Sequence, residues 1–354
     1  MKKTLTLIVY TLALVLITFK TKAQTYAWTQ KASFAPGNRA GAFGFSIGTK
    51  GYVGSGVVQS GNQINYVNDF WEYDPAIDAW TQKAQLPGTS HSSAAAFATA
   101  NKGYVTTGYS GSVYLNETLE YDPSANAWTV KSNFPGAARY TATAFIIGNF
   151  AYVGMGKGGP YYLDFFRYDP AADSWTPITS IGGTARQNAK SFSLGNYGYV
   201  IGGSNENVDD FFDVWQYDPA GNTWLQKSDF PGSGSYAGIA FAINGSGFAG
   251  AGGASFIDST YQDFYSYNAS TDTWIPAADF GGGKRISLSF MAIGNNGYAG
   301  MGSSTINTLN YQDDWWEFSS TTGINILNTS PGIKVSFTNH ELSIQWKDFL
   351  TADA

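Results

Sequence analysis

Six tryptophans recur along the chain at intervals of about fifty residues, and this spacing constrains the fold more than any other feature of the sequence. They are Trp28, Trp80, Trp128, Trp175, Trp224 and Trp274. An aromatic residue follows each of them after 24 residues, and an acidic residue precedes each of the last five by 11 residues. Only the segment from that aromatic to the next acidic residue changes length, from 12 to 17 residues. Each repeat therefore contains two rigid blocks and one variable loop, the kind of segment that usually carries function.

Each repeat has the residue pattern of four short antiparallel strands. In the third repeat, the apolar runs 140–147 and 151–153 are joined by Gly148-Asn149, which is typical of a tight hairpin. After the variable loop, the run 164–168 is followed by Asp169-Pro170, a pair that starts a turn before the next tryptophan. Four antiparallel strands repeated about every fifty residues indicate a propeller blade.

The chain resembles kelch-repeat proteins from residue 25 to about residue 320. A Tyr-Val-x-x-Gly run ends the second strand, and a tryptophan follows seven residues after each Tyr-Asp-Pro turn, at 73–75, 121–123, 168–170 and 217–219. The double glycine of that family is intact only at Gly202-Gly203 and Gly252-Gly253. The resemblance implies an all-β fold, a six-bladed kelch-type β-propeller with the first strand of each blade innermost.

The two ends of the repeat region indicate how the ring closes. The sixth repeat lacks a fourth strand, because Asn325 stands seven residues after Phe318 where a tryptophan is expected. Residues 26–29 have the pattern of a fourth strand with no blade before it. We therefore predict that the N-terminal strand pairs into the last blade, which removes sheet edges that would otherwise favour aggregation.

The segments outside the repeats indicate an exported protein. Residues 1–23 read as a secretory signal peptide, with Lys2-Lys3, an apolar run over 5–19 and a small-x-small cleavage signal ending at Ala23. A membrane anchor would need about 18 or more apolar residues. We expect residues 24–323 to form the propeller. Residues 324–354 form a short β-rich extension that resembles the start of a type IX secretion sorting domain. That resemblance implies the outer surface of a Gram-negative bacterium or the medium, with the periplasm as the alternative.

Composition excludes several classes of partner and cofactor. The chain has no cysteine, so packing alone must hold an exported fold together. Without residues 1–23 it has 16 basic and 26 acidic residues, a net charge of −10 that disfavours nucleic acid and anionic membranes. His91 and His340 are the only histidines, so we predict no metal site and no cofactor. We expect a monomer with no membrane span in the mature chain.

The position eleven residues after each repeat tryptophan is the first candidate site. It is occupied by Arg39, His91, Arg139, Arg186, Ser235 and Arg285. The chain has only five arginines, and four of them lie at this position. By analogy with kelch propellers, these residues would surround the mouth of the central channel on the face of the variable loops. Guanidinium groups on an acidic protein favour a carboxylate-bearing ligand. The alternative is architectural: the arginines pair between blades with the acidic residues that start the third strands, and His91 is a polar rim residue.

The variable loops are the second candidate site. They are rich in Tyr, Asn, Ser and Gln, which suit recognition of proteins and sugars, although soluble loops commonly have this composition. The aromatic residues that we expect to contact a partner are Tyr109, Tyr161, Tyr162, Tyr261 and Tyr311. The sequence thus predicts a binding protein for a protein or glycan partner, with no catalytic residue assigned, or a structural module of a larger surface assembly.

An enzyme is the alternative from another class. Sialic-acid mutarotases are exported six-bladed kelch proteins, and such chemistry needs an acid–base group beside an arginine that binds a carboxylate. The arginines are present here, but no distinctive central glutamate accompanies them. Copper chemistry like that of galactose oxidase needs a Tyr–Cys cofactor and two histidine ligands. It is excluded because the chain has no cysteine.

Overall fold

The computed structural model describes residues 25–321 apart from residue 62 and residues 207–208, 255–258 and 307–309, together with three short strands after residue 321. These residues contain no helix. Their strands form six four-stranded antiparallel sheets that follow one another as the blades of a ring. The predicted all-β, six-bladed propeller is therefore confirmed. The predicted signal peptide and Asn325 lie outside the described residues.

The blades are numbered by the order of their innermost strands along the chain. Blade 1 consists of Phe43–Ile47, Lys50–Gly54, Phe70–Asp74 and Ala79–Gln82. Blade 2 consists of Ala95–Ala98, Gly103–Thr106, Thr118–Asp122 and Ala127–Lys131. Blade 3 consists of Thr143–Ile147, Phe150–Gly154, Phe165–Asp169 and Ser174–Ile178.

Blades 4 and 5 have longer second and third strands, and blade 6 is completed by a strand from the other end of the chain. Blade 4 consists of Lys190–Leu194, Tyr197–Asn205, Asp209–Asp218 and Thr223–Lys227. Blade 5 consists of Ile239–Ile243, Ser246–Ala254, Ser259–Asn268 and Thr273–Pro276. Blade 6 consists of Ser289–Ile293, Asn296–Gly300, Trp315–Ser320 and, from the other end of the chain, Tyr26–Lys31.

A closed ring of main-chain hydrogen bonds links the six innermost strands where they begin. One residue of each blade donates its N–H to the carbonyl of the same position in the preceding blade, at N···O distances between 2.8 and 3.2 Å. These residues are Gly41, Ser93, Thr141, Asn188, Ala237 and Ser287. All six have a left-handed backbone, with φ between 53° and 62°. The six positions thus hold the blades in register around the channel, which explains why non-glycine residues are kept in a strained conformation there.

The repeated tryptophans join neighbouring blades. Each indole N–H donates to a main-chain carbonyl four residues after the tryptophan of the preceding blade, as from Trp80 to Ala32 and from Trp128 to Ala84. The same bond occurs at Trp175, Trp224 and Trp274. A buried indole N–H needs such a partner, and the surrounding ring fills the space between blades. The tryptophan period of the sequence is therefore the period of the blade interface.

The N-terminal strand closes the ring, as predicted. Tyr26–Lys31 pairs antiparallel with Trp315–Ser320 over all six of its residues. The Trp28 indole donates to the Ala278 carbonyl at 3.1 Å, which repeats the bond of the other tryptophans across the two ends of the chain. In the five continuous blades a buried tyrosine hydroxyl bonds an Asp or Asn in the turn before the tryptophan. Blade 6 has no such turn, and Phe318, which needs no partner, takes the tyrosine's place.

In five of the blades a glycine at or near the end of the second strand carries a further bond to the next blade. Gly203 donates its N–H to the carbonyl of Ser235 in the next blade, and Gly252 donates in the same way to Arg285. A Cβ on Gly252 would lie 2.6 Å from the Tyr236 carbonyl oxygen, so only glycine fits. These equivalent bonds correct the sequence alignment: the paired positions in blade 5 are Ala251-Gly252, and Gly253 lies one residue beyond them. The double glycine is therefore intact in blade 4 alone.

The remaining strands lie outside the blades. Val57–Ser60 and Gln63–Tyr66 form a hairpin within the variable loop of blade 1. Leu327–Asn328, Ile333–Thr338 and Glu341–Trp346 form an antiparallel sheet, which includes both strands predicted in the tail. Within the described part of the chain, no helix is long and apolar enough to span a membrane.

Candidate functional site

Four arginines occupy equivalent places between the blades rather than on the surface. Their side chains point inward, so that between 0% and 5% of each residue is exposed. They are Arg39, Arg139, Arg186 and Arg285, and each lies four residues before the innermost strand of its blade. The predicted ring of equivalent positions therefore exists, but its guanidinium groups are buried.

Each of these guanidinium groups binds both ends of the variable loop in its own blade. Arg39 donates Nη1 to the Ser55 carbonyl at 3.2 Å, where the loop begins, and makes two bonds of 2.6 and 2.9 Å to the Asp69 carboxylate, where it ends. Arg139 binds Met155 and Asp164 in the same way. Such bidentate pairs fix geometry as well as charge. The arginines thus act as clamps for the loops.

The other two arginines make the same set of bonds. Arg186 clamps Gly202 and Asp213, and Arg285 clamps Met301 and Asp314. The architectural alternative predicts such arginine–carboxylate pairs, but between blades, whereas the structure has each pair within one blade. Ligand binding by the four guanidinium groups stays a prediction, and no contact among the described residues supports it.

His91 holds only one end of the variable loop in blade 2, because Nδ1 donates to the Thr107 carbonyl and Nε2 has no hydrogen-bond partner among the described residues. Its ring lies fully buried, with Nδ1 2.8 Å from the Thr107 carbonyl oxygen and Nε2 3.5 Å from Glu117 Oε2. These two residues flank the variable loop of blade 2, as the partners of the arginines do in theirs. Burial lowers the pKa of His91 below its ordinary value, so the ring is neutral at pH 7. His91 is therefore a buried loop clamp and not the exposed rim residue expected from the sequence.

Blade 5 has Ser235 at this position and takes its cation from a neighbour. The Lys190 ammonium, from blade 4, lies 4.3 Å from the centre of the Phe230 ring and donates to the Gly234 carbonyl at 2.7 Å. Phe34, Phe134 and Phe280, at the position of Phe230, lie under guanidinium groups in their own blades. Lys190 thus fills the site of the missing arginine. Burial holds its pKa at about 7.

Replacing Lys190 with methionine is expected to change how stability depends on pH. In the folded chain the ammonium loses its proton near pH 7, whereas in the unfolded chain it keeps the ordinary lysine pKa of about 10.4. The unfolded state therefore binds more protons between these values, and wild-type stability should gain at most about 1.4 kcal/mol per pH unit from this group. Lys190→Met should lack that gain. Urea unfolding at pH 7, 8 and 9 measures the difference.

The control for this experiment is Lys50→Met, which removes a partly exposed lysine paired with Asp74. That variant should keep the wild-type slope. If the Lys190→Met and wild-type curves run parallel, Lys190 is charged throughout the range and its burial does not control its protonation.

Above the arginine layer, the rings of four tyrosines from three adjacent blades form a continuous array, which we call the tyrosine patch: Tyr66, Tyr109, Tyr114 and Tyr140. Tyr66 meets Tyr109 edge to face at 5.6 Å, Tyr109 lies 5.4 Å from Tyr114, and Tyr114 stacks on Tyr140 at 5.4 Å. Tyr66 belongs to the blade 1 loop, and Tyr109 and Tyr114 to the blade 2 loop. Aromatic pairs at these distances stabilise one another, so the patch is a preorganised surface.

An ion pair between blades 3 and 4 lies at one edge of the patch. Lys157 Nζ is 2.9 Å from Glu206 Oε2, and Gln187 donates to the other oxygen of that carboxylate at 3.0 Å. The hydrogen bond from Lys157 holds the pKa of Glu206 below its ordinary value. The Tyr161 hydroxyl accepts the Glu206 N–H at 3.3 Å, and its ring lies 5.0 Å from Lys157 Nζ. This edge is therefore charged but internally neutralised.

The predicted tyrosines divide between this surface and other places. Tyr109 belongs to the patch and Tyr161 to its edge. Tyr162 covers the Arg139 guanidinium, whose central carbon lies 3.9 Å from the ring centre. Tyr261 lies on the third strand of blade 5, and Tyr311 packs on Ala40 and Val57 with 9% of its surface exposed. Neither makes a ring contact with the patch among the described residues.

The sequence reading did not single out three residues of the patch: Tyr66, Tyr114 and Tyr140. Tyr66 and Tyr114 lie in loops that the spacing identifies as variable, so loop composition was the available signal. Tyr140 follows Arg139 directly and belongs to a different block of the repeat. Its stacking on Tyr114 depends on how two blades meet, which no local spacing encodes.

The central channel has a different chemical character. It contains a cavity of about 170 Å³ lined by small uncharged residues of the inner strands, among them Ser93, Thr141, Asn188, Ser191 and Ser289. None of its lining residues is an acid or a base. In the described part of the chain, no three His, Cys, Asp or Glu residues are placed to hold a metal ion. The cavity suits water or a small neutral molecule and offers no proton-transfer group.

Comparisons with known proteins agree with this architecture. Residues 185–231, which include all four strands of blade 4, match the model of the Kelch motif. None of the curated proteins compared with the chain by sequence is significantly similar to it. The solved structure of YjhT is similar over 91% of this chain and 99% of its own, with a TM-score of 0.66 and 15% identity. At that identity the similarity is one of fold.

Proposed function

We propose that this kelch-repeat β-propeller is an exported binding protein that recognises a protein or glycan partner through the face of its variable loops. The tyrosine patch is the observation that carries the proposal. It joins loops of blades 1 and 2 to the start of blade 3 in one surface, and Tyr114 at its centre is 38% exposed. Kelch propellers commonly serve protein binding, which agrees with this role.

The exposed apolar residues of the chain concentrate on the same loops. Nine large hydrophobic residues of the described chain are exposed, and four of them lie in the loops of blades 1 and 2: Ile64, Tyr66, Val113 and Tyr114. Most of the others are spread singly over the outer strands, where exposed apolar residues need no explanation. The hydroxyls of Tyr66, Tyr114 and Tyr140 have no hydrogen-bond partner among the described residues. Rigid aromatic area with free hydroxyls is the chemistry of recognition surfaces.

No feature of the site favours the enzyme alternative. A sugar-epimerising site would use a guanidinium that is free to bind a substrate carboxylate. Here each arginine of the ring already binds an aspartate of its own blade. The channel cavity adds no acid or base.

Export is part of the proposal and is supported by the leader-like residues 1–23. Cleavage after Ala23 would leave Gln24 directly before the strand Tyr26–Lys31 that closes the ring. The mature chain would then begin where closure begins. We propose the outer surface or the medium as its location, with the C-terminal strands as the candidate sorting element.

Photo-crosslinking from two matched positions tests the binding face. A crosslinking amino acid replaces either Tyr114 on the loop face or Tyr197, which begins the second strand of blade 4 on the opposite face; these residues are 38% and 39% exposed. Irradiation of producing cells is expected to give discrete adducts from position 114 only, because the partner covers the patch. Equal adducts from both positions, or adducts from position 197 alone, would show that the loop face is not the binding face.

A further inference from the structure

The centre of the loop face is uncharged on a chain that is strongly acidic elsewhere. The variable loops of blade 1, 57–68, and blade 2, 109–116, contain no charged residue. The corresponding stretch of blade 4, 204–210, contains Glu206, Asp209 and Asp210. The absence of charge is therefore local to the two loops that carry most of the tyrosine patch.

The same two loops carry the aliphatic residues of this face. Ile64 is 43% exposed and Val113 is 55% exposed, in the same loops as the exposed rings of Tyr66 and Tyr114. Apolar side chains exposed next to one another mark contact surfaces. A sugar presents hydroxyls around its ring, and branched aliphatic side chains offer those hydroxyls no hydrogen bond. Apolar side chains of a protein fit this surface better.

The surface is ordered before anything binds. Ser110 Oγ accepts the N–H groups of Ser112 and Val113, which closes a tight turn at the tip of the blade 2 loop. Tyr109 donates its hydroxyl to the Gly111 carbonyl at 3.1 Å, and a side chain on Gly111 would collide with the Tyr66 ring. His91 binds the base of the same loop. A preordered surface loses little conformational entropy on binding, so a short segment of a partner is enough for stable binding.

The charged edge sets a limit to the partner. In the described part of the chain, the only ion pair at the edge of the patch joins Lys157 to Glu206, and these two charges already neutralise each other. An acidic side chain of a partner placed over Tyr114 would lose its hydration and find no unpaired cation beside it among the described residues. The one acid that follows the blade 2 loop, Glu117, lies 3.5 Å from the buried His91 ring beneath that loop. The surface therefore selects against charge as well as for apolar contact.

We infer that the surface formed by Ile64, Tyr66, Val113 and Tyr114, with Tyr109 and Tyr140 behind them, docks an uncharged segment of a protein partner that carries aromatic or proline residues. The inference deepens the proposed function and depends on it. It names the partner class, whereas the crosslinking experiment tests only the face. A patch that crosslinks but binds glycans would leave the proposed function intact and overturn this inference.

Selection of peptides tests the inference without knowledge of the partner. The purified chain is panned with a phage-displayed library of random dodecapeptides and is applied in parallel to a glycan array. We expect enriched peptides with aromatic and proline residues and few charges. Their affinity should fall at least about tenfold in Tyr114→Ser and remain unchanged in Tyr197→Ser. It should change little between about 0.05 and 0.5 M salt, because no ion pair forms.

A second variant keeps the test informative if Tyr114→Ser disturbs the stacked rings. Val113→Asp places a charge at the exposed tip without removing a buried group, and it should abolish peptide binding while unfolding like wild type. The inference is overturned by charge-rich peptides, by no enrichment, or by peptides that bind both variants normally. Patch-dependent glycan binding, or self-association lost in Tyr114→Ser, would also overturn it.

Discussion

Replacing Trp28 with alanine is expected to lower the free energy of unfolding by about 3 kcal/mol, the lower end of the range for truncating a large core aromatic, because its ring is only partly buried. Its ring lies within 6.4 Å, between centroids, of Phe241, Phe264, Phe280 and Phe318. Loss of its indole N–H would leave the Ala278 carbonyl without its hydrogen-bond donor. Because Trp28 joins the first strand of the chain to the last blade, the loss should open the ring rather than a single turn. Denaturant unfolding followed by tryptophan fluorescence measures it.

Thr29→Ala is the matched control for this variant. Thr29 lies on the same strand, keeps the pairing with Glu317, and has an exposed side chain. It should change stability by about 0.5 kcal/mol or less. If Trp28→Ala costs no more than Thr29→Ala, the N-terminal strand does not close the ring in solution.

Replacing Arg186 with methionine is expected to cost about 3–5 kcal/mol of stability, because it leaves the Asp213 carboxylate partly buried without its cation. The guanidinium is 97% buried and the Asp213 side chain 18% exposed. The variant also removes donors from the Thr184 and Gly202 carbonyls. Denaturant unfolding of the purified variant and of wild type measures the difference in the free energy of unfolding.

The double variant Arg186→Met with Asp213→Asn separates the charge from the packing. Asparagine keeps an acceptor for the Trp215 indole, which now donates to Asp213 at 2.7 Å, but needs no cation. It should recover a substantial part of the loss. If Arg186→Met alone unfolds like wild type, the pair is not architectural, and the prediction that these arginines serve a ligand gains weight.

The two candidate sites of the sequence proved to be connected. The four arginines lie beneath the variable loops and bind both of their ends, and His91 binds one end of the loop in blade 2, so this position supports the residues above it in five of the six repeats. The concentration of arginines at this repeat position indicated the correct layer of the molecule. The role of that layer is to hold the loops, and the tyrosine patch is the surface that they present.

The sequence alone determined the repeat, the number of blades and the closure of the ring. Each blade is built from strands that are adjacent in the chain, so Trp, Tyr-Asp-Pro and glycine recur at fixed spacings. Closure was also readable, because Trp28 is a fourth-strand residue without a blade of its own. The presence of Phe318 where the other blades have tyrosine also follows a local rule. In those blades the tyrosine hydroxyl bonds a turn residue five positions further along the chain, and blade 6 has no such turn.

Only the tertiary structure decided what lies between the blades. Lys190 packs on Phe230 of the next blade, and Tyr140 stacks on Tyr114 of the neighbouring blade, although 40 and 26 residues separate the respective partners. Such contacts depend on the angle between two blades and on the path of loops whose length varies. Spacing within a repeat fixes neither of these, because it describes hydrogen bonds along one sheet and not the packing of side chains across two.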